Sequence, residues 1–254
     1  MTASRRIILI VFAPALAGDD SRPVAVVDGM ERAFPGLRLG WTVSDDHQLI
    51  PLPQRDRWLA QARRNGGFPL VCNNDEHYPV MISGLELPAM SGPGRQALFE
   101  VHAELPPDAG GIAAAADVLE AVAERARAYW GHATPSKAAL DIARQTQNPE
   151  LEPRAPPRGL PAINVPWNIP SPEFPQYFGW LNYWSAAAAR AIGFPDPARD
   201  ADLLSRARRT ATGGWIVRLT DTPLDLDNPA HLDALKRAYA RFPEIGGRSE
   251  AKSP

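Results

Sequence analysis

The side chains best suited to metal chemistry lie on one predicted strand. Glu100, His102 and Glu104 alternate with apolar residues over positions 99–105. Side chains on the same face of a strand recur about every 7 Å, so these three could hold a divalent metal together with a fourth ligand. An antiparallel strand also needs polar residues on its solvent side. We favour this second interpretation and predict a strand with one solvent-exposed face and no bound metal ion.

A second candidate is the pair Cys72 and His77, which lie five residues apart across a predicted turn. A cysteine thiol acts as a nucleophile when a base is close to it. Cys72 is also the only cysteine of the chain, which excludes an internal disulfide. A lone cysteine in an apolar strand is usually a small buried hydrophobic residue, and we favour that interpretation.

Three polar clusters, at residues 45–47, 73–77 and 225–228, contain oxygen and imidazole groups that metals accept as ligands. Aspartate and asparagine are also the usual residues of turns and helix caps. We therefore predict structural roles for these clusters.

The sequence lacks the short motifs of several large enzyme classes. It contains no phosphate-binding loop, no dinucleotide-binding glycine motif, no HExxH, no CxxC and no GxSxG. Its 29 acidic and 27 basic residues leave a net charge of −2, which provides no positive field for a phosphate backbone. We therefore predict a protein that is not an enzyme, has no cofactor and does not bind nucleic acid.

The amino terminus has two interpretations. Arg5 and Arg6 precede an apolar run at 7–17 that ends in Ala-Leu-Ala, which is typical of a secretory signal. The run is also rich in β-branched residues and contains Pro14, as in a buried first strand. We favour the strand and a cytoplasmic protein, with secretion as the alternative. No apolar segment reaches the roughly 18 to 20 residues that span a bilayer.

Hydrophobic periodicity predicts elements along the whole 254-residue chain. Helices are predicted at 23–34, 55–64, 111–130, 201–209 and from Asn228 onward, and strands at 7–14, 37–44, 68–72, 78–83, 99–105 and 214–220. A further element is predicted at 177–191, with its type left open. Prolines crowd residues 148–176, which excludes helix and central strand there and predicts a linker or an extended strap. The second half alternates at Ile163, Val165, Trp167 and Ile169, which predicts that this part lies against the body. We predict one α+β domain over 1–254, with a largely antiparallel sheet and helices packed on it. Its parts are 1–147, the strap 148–176 and 177–245.

Three segments of the carboxy-terminal third carry a family resemblance. They are GWLNYWS at 179–185, GGWIVRLT at 213–220 and PLDLDNPAHL at 223–232. This region, residues 177–242, resembles the end of the immunity protein 52-like family of bacterial polymorphic toxin systems and its uncharacterised relatives. The amino-terminal half resembles it only loosely, through the opening strand and Gly40-Trp41.

The resemblance implies a cytoplasmic antidote that binds a cognate toxin, often a nuclease, and blocks its active site. A binding protein of this kind needs no catalytic residues, and its oligomeric state stays open. The alternative is a metal- or thiol-dependent enzyme that uses Glu100, His102 and Glu104, or Cys72 with His77.

A nuclease has a basic cleft, so its antidote is expected to present an acidic patch. Acidic residues follow predicted strands in three loops, and such loops can gather along one edge of a sheet. We therefore predict that these loops border the toxin-binding face around an aromatic anchor. The predicted binding residues are Asp19, Asp20, Asp45, Asp46, Asp75 and Glu76, with Trp41 or Tyr78 as the anchor.

Overall fold

One sheet of ten strands runs through the computed structural model, which describes residues 6–18, 20–62, 66–75, 79–148, 150, 151 and 154–248. The strands are β1 (Ile7–Pro14), β2 (Trp41–Val43), β3 (Leu49–Pro51), β4 (Gly67–Cys72), β5 (Met81–Leu87), β6 (Leu98–Leu105), β7 (Trp130–Pro135), β8 (Thr146–Gln147), β9 (Ile163–Asn164), β10 (Leu181–Trp184), β11 (Ala207–Arg209) and β12 (Trp215–Arg218). The helices are α1 (Arg22–Ala33), α2 (Arg55–Ala62), α3 (Ala109–Ala126), α4 (Ser136–Ala143), α5 (Ala186–Ala191), α6 (Ala201–Ser205) and α7 (Pro229–Arg241).

The strand order of the large sheet is β11-β12-β10-β7-β1-β6-β5-β4-β2-β3. Its paired strands are antiparallel, whereas β8 and β9 form a separate parallel pair. The predicted α+β class with a largely antiparallel sheet is therefore confirmed. Because β7 pairs with both β1 and β10, strands from before and after the strap belong to the same sheet. The predicted single domain over 1–254 stays a prediction.

The amino-terminal apolar run forms the central strand β1, as the strand interpretation predicted. Ile7, Leu9, Val11 and Ala13 are buried on one side of it. We call this side of the sheet the helix face, because α3 contacts β1, β6, β7 and β10 there. We call the opposite side the far face.

Helices α1 and α3 pack together on the helix face. Asp108 caps α3 by accepting a hydrogen bond from the Gly111 N–H at 2.7 Å. Gly29 of α1 lies so close to α3 that an added Cβ would be 3.2 Å from the Ala121 carbonyl oxygen. The alanine-rich sequence of α3 and this glycine therefore allow the two helix backbones to approach closely.

An aromatic cluster covers the far face at its carboxy-terminal end. The ring of Trp184 on β10 lies 5.0 Å from Phe194, 5.9 Å from Phe178 and 5.6 Å from Phe242, between ring centroids. Helix α7 leads into Phe242, and the side chain of Asn228 caps its start by accepting from the Ala230 N–H at 3.0 Å. The predicted asparagine cap and the proline after it are confirmed.

The strap lies against the body, as predicted for its second half. Ile163, Val165 and Ile169 are buried, and Ile163 belongs to β9. Trp167 is exposed, because Pro166–Asn168 forms a 3-10 turn that interrupts the alternation. The strap therefore has a buried apolar side and one outward-facing tryptophan.

The structure corrects one predicted helix end and assigns the type of one predicted element. The helix predicted at 111–130 ends at Ala126, where Arg127 adopts a left-handed conformation with φ 56°. Trp130 and Gly131 instead begin β7. Residues 181–184 of the element at 177–191 form β10, on which all four residues are buried. A short run that is buried on both faces shows no clear strand or helix period, so periodicity alone cannot identify it.

Further boundaries differ in the shorter elements. The strand predicted at 37–44 is reduced to β2, and the sequence did not predict its hairpin partner β3. The helix predicted at 201–209 is α6 followed by β11. Strand β5 begins at Met81 and runs beyond the predicted end at 83.

Candidate functional site

The amino-terminal half of the far face exposes apolar side chains. Direct partners in the antiparallel register share a face, which places Trp41 with Pro51 and Val43 with Leu49. Trp41 also pairs with Cys72, and Cys72 pairs with Met81, so Met81 lies on this face too. Leu85 follows Met81 by four residues on β5 and therefore lies on the same face. We call the surface formed by Trp41, Val43, Leu49, Pro51 and Leu85 the open face.

The β2–β3 hairpin is exposed on both of its sides. Val43 is 41% exposed and Leu49 38% on the open face, and Ile50 is 44% exposed on the opposite side. The turn is well ordered internally, since the Ser44 N–H donates to the Gln48 carbonyl and the His47 N–H to the Ser44 carbonyl, both at 2.9 Å. The hairpin is therefore a defined projection that carries apolar side chains into solvent.

Strand β3 is the edge of the sheet, but it is a poor template for adding another strand. It has only three residues, and Pro51 lacks the N–H that a paired strand would need. A partner would therefore contact this edge mainly through side chains.

Asp45 and Asp46 lie at the tip of the hairpin. Both residues are exposed, and neither forms an ion pair with any residue that the structure describes. Two exposed carboxylates next to Val43 and Leu49 give the hairpin a negative tip beside an apolar patch. These two residues match the predicted combination of acid and apolar anchor most closely.

The register separates the predicted acidic loops instead of gathering them. Strand β2 is antiparallel to β4, and Trp41 lies opposite Cys72. The Asp45–Asp46 turn therefore follows β2 at one end of the strand pair, and Asp75 follows β4 at the other end. The predicted anchor Trp41 is half-buried and lies nearer to the Asp75 end.

Asp20 has a structural role. Its carboxylate pairs with Arg22 at 2.7 Å, and the buried Arg22 guanidinium also donates to the carbonyl oxygens of Pro14, Ala15 and Ala126. Burial by itself raises the pKa of Asp20, but the Arg22 guanidinium and the neighbouring backbone N–H groups outweigh it and lower the pKa to about 2. Asp20 thus joins the end of β1 to α3. Asp19, Glu76 and Tyr78 lie outside the described residues.

Sequence reasoning missed two further exposed apolar side chains, Met90 and Trp167. Met90 is 67% exposed on the 3-10 turn Ala89–Ser91, and this turn contacts the turn that carries Trp167. The Gly94 N–H donates to the Ile169 carbonyl at 2.7 Å and holds the strap to the segment after β5. Met90 and Trp167 therefore lie on two turns that contact each other, outside the strands that form the open face.

One face of β6 carries Glu100, His102 and Glu104, as predicted. The prediction that this face is exposed to solvent differs from the structure, in which the face is half-buried. Burial raises the pKa of Glu100 and lowers the pKa of His102. Glu104 approaches Arg6 at 3.8 Å. Over the described part of the chain, no three His, Cys, Asp or Glu side chains are arranged to hold a metal ion.

The thiol of Cys72 is buried, and burial raises its pKa. A raised pKa keeps the thiol protonated and disfavours the nucleophilic thiolate. His77, the base of the thiol hypothesis, lies outside the described residues.

The carboxy-terminal acidic cluster has structural roles. Asp227 pairs with Lys137 and with Arg158, the latter at 2.7 Å. The Asp227 N–H donates to the Asp225 carboxylate at 3.1 Å, as in an aspartate turn. With the cap by Asn228, this agrees with the predicted turn and cap roles of residues 225–228.

Among the described residues, we find no helix that is both long enough and apolar enough to cross a membrane.

Comparisons with known proteins give a family and a fold. No curated protein matches the chain. A solved structure, the Pseudomonas aeruginosa T6SS protein PA0821, is similar with a TM-score of 0.50 and 14% identity, over 98% of this chain and 78% of that chain. At that identity the likeness shows the fold alone. The comparisons do not name the immunity protein 52-like family, so that resemblance stays a prediction. The model of the Domain of unknown function (DUF5953) matches residues 18–250, and the chain therefore belongs to the DUF5953 family.

Proposed function

We propose that this protein is an immunity protein that binds and neutralises a cognate bacterial toxin through the open face and the tip of the β2–β3 hairpin. The observation that carries the proposal is the hairpin, which is apolar on both sides and has two exposed carboxylates at its tip. Contiguous exposed apolar surface is a mark of interaction sites.

The open face has the composition of a protein-binding surface. Leu85 provides an exposed apolar side chain, and the hairpin adds Val43 and Leu49. Binding energy in protein interfaces concentrates in a few such side chains surrounded by a polar rim. Asp45 and Asp46 would form part of that rim. A specific complex buries about 1,200 to 2,000 Å² in total, which requires contacts with the hairpin and with the sheet surface around Leu85.

The charge at the hairpin tip indicates the kind of toxin. Two exposed carboxylates attract a basic surface and speed the encounter with it. A nuclease has such a surface, because its cleft binds a polyanion. We therefore propose a toxin with a basic active-site cleft, a nuclease being the leading candidate.

Two further lines support a role in bacterial competition. The carboxy-terminal segments resemble an immunity family, and one solved structure with a similar fold is that of a T6SS protein. On this proposal the protein acts in the cytoplasm of the toxin-producing cell, needs no cofactor and performs no catalysis.

Co-expression with the product of the adjacent gene tests the proposal. We expect that product to stop growth when expressed alone, and the two proteins to co-purify in a fixed stoichiometry with growth restored. A neighbouring gene product that is harmless, or that stays toxic when both proteins are present, would contradict the proposal.

A further inference from the structure

A groove between α6 and α7 concentrates arginine side chains. It has a volume of about 270 Å³ and contains Arg199, Arg206, Arg237 and Arg241. Asp200 and Asp202 also line it, so the arginines exceed the aspartates by two. Leu203, Leu219 and Ala234 provide an apolar floor. The groove lies beside β12, at the end of the sheet away from β2 and β3.

Two of these arginines are held in place by the fold. Arg241 donates from Nε to one oxygen of Asp200 at 2.7 Å and from Nη2 to the other at 3.0 Å. The Asp200 side chain is fully buried. Arg206 donates to Asp202 at 2.6 Å and to the Arg218 carbonyl at 3.4 Å. The Nη1 group of each arginine makes no hydrogen bond within the described residues, so both retain N–H donors.

The other two arginines are exposed and less firmly held than Arg206 and Arg241. Arg237 is exposed and forms no ion pair with the described residues. Arg199 is exposed and approaches Asp196 only at 3.5 Å. Two arginines held by carboxylates and two exposed ones around a common space form an arrangement suited to a multiply charged anion.

We infer that this groove binds the phosphate group of a small organic phosphate, whose apolar part contacts Leu203, Leu219 and Ala234. Arginine binds phosphate through paired N–H donors, and a phosphate dianion balances the surplus of two positive charges. The volume is just below the range of about 300 to 1,000 Å³ found for drug-sized ligands, which favours a small one. The inference does not depend on toxin binding, since the groove and the open face share no residue.

Isothermal titration at low salt with phenyl phosphate tests this inference, with phenol and inorganic phosphate as comparison ligands. We expect one saturable site for phenyl phosphate, weaker binding of inorganic phosphate and no binding of phenol. Arg237→Gln and Arg206→Gln should each weaken phenyl phosphate binding by about tenfold or more. Arg237 is exposed, so its replacement should leave the fold intact.

Arg154→Gln is the matched control, because Arg154 is exposed on the strap and does not line the groove. We expect this variant to bind phenyl phosphate as the wild type does. Absence of a saturable site in the wild type, or equal losses in Arg154→Gln and Arg237→Gln, would overturn the inference.

Discussion

The two halves of the far face differ in what covers them. At the carboxy-terminal end, Trp184 is buried beneath Phe178, Phe194 and Phe242, and α7 lies next to them. At the amino-terminal end, Leu85 and the β2–β3 hairpin expose apolar side chains. The same sheet thus has one half built for stability and one half available to a partner. We expect substitutions in the covered half to change stability and those in the open half to change binding.

Removing a large side chain from the covered half should have the largest effect. We expect Trp184→Ala to lower the free energy of unfolding by about 3 to 5 kcal/mol, because it leaves a cavity among three aromatic rings. Leu85→Ala should change it by less than about 0.5 kcal/mol, since Leu85 is 55% exposed. Urea unfolding of both variants measures the difference. Equal losses would show that the open half is also part of the core.

Asp20 should contribute the next largest effect. Its pKa falls from 3.8 to about 2 on folding, which corresponds to about 2 kcal/mol of stability. Because the folded pKa is lowered, this stability is present above pH 3.8 and is lost as the pH falls towards 2. Asp20→Asn should therefore destabilise the protein at pH 7 and flatten the change in unfolding free energy between pH 5 and 2. If the unfolding free energy of Asp20→Asn varied with pH as that of the wild type does, Asp20 would not have this structural role.

The cap of α7 should matter less. Asn228→Ala removes the hydrogen bond to the Ala230 N–H and should cost about 1 kcal/mol. Asn228→Asp keeps an acceptor and should retain most of the stability. Thermal unfolding of the two variants compares them, and equal behaviour would show that the cap does not stabilise α7.

Charge reversal at the hairpin tip should leave stability almost unchanged. We expect Asp45→Lys with Asp46→Lys to slow association with the toxin by about tenfold at low salt, and less as salt screens the charges. Asp75→Lys is the control, because Asp75 lies at the other end of β2 and β4. Stopped-flow association rates measure both. An equal effect of Asp75→Lys would support the original prediction that all three acidic loops border one face.

The strap offers a test of domain organisation. We expect limited proteolysis to release no pair of stable, separable fragments cut near residue 155, because β7 and β10 pair across the two parts of the chain. Two such fragments would contradict the predicted single domain.

The sequence predicted the elements whose hydrophobic periodicity fits either a strand or a helix but not both. Strand β6 alternates regularly, and α7 has both an asparagine cap and helical spacing. Strands β7 and β10 were missed because both of their faces are buried, so their sequences lack an alternation of apolar and exposed polar residues. The hairpin was missed because β2 and β3 are only three residues long.

The candidate site was predicted in part. Trp41, Asp45 and Asp46 lie on or beside the open face, since loops after strands are natural positions for exposed acids. The separation of Asp75 from Asp45 depends on strand order and register, which the chain does not reveal locally. The exposure of Leu85 likewise depends on which half of the far face the aromatic cluster covers, and the exposure of Trp167 depends on the 3-10 turn at Pro166–Asn168.

The affinity of the toxin complex tests the central claim most directly. The triple variant Val43→Ser, Leu49→Ser and Leu85→Ser should weaken binding by about 100-fold or more in the dissociation constant, while the free energy of unfolding changes by less than about 1 kcal/mol. The control is Leu140→Ser with Leu151→Ser, two exposed leucines elsewhere, which should bind as the wild type does. An unchanged dissociation constant in the triple variant, or an equal loss in the control, would contradict the assignment of binding to the open face.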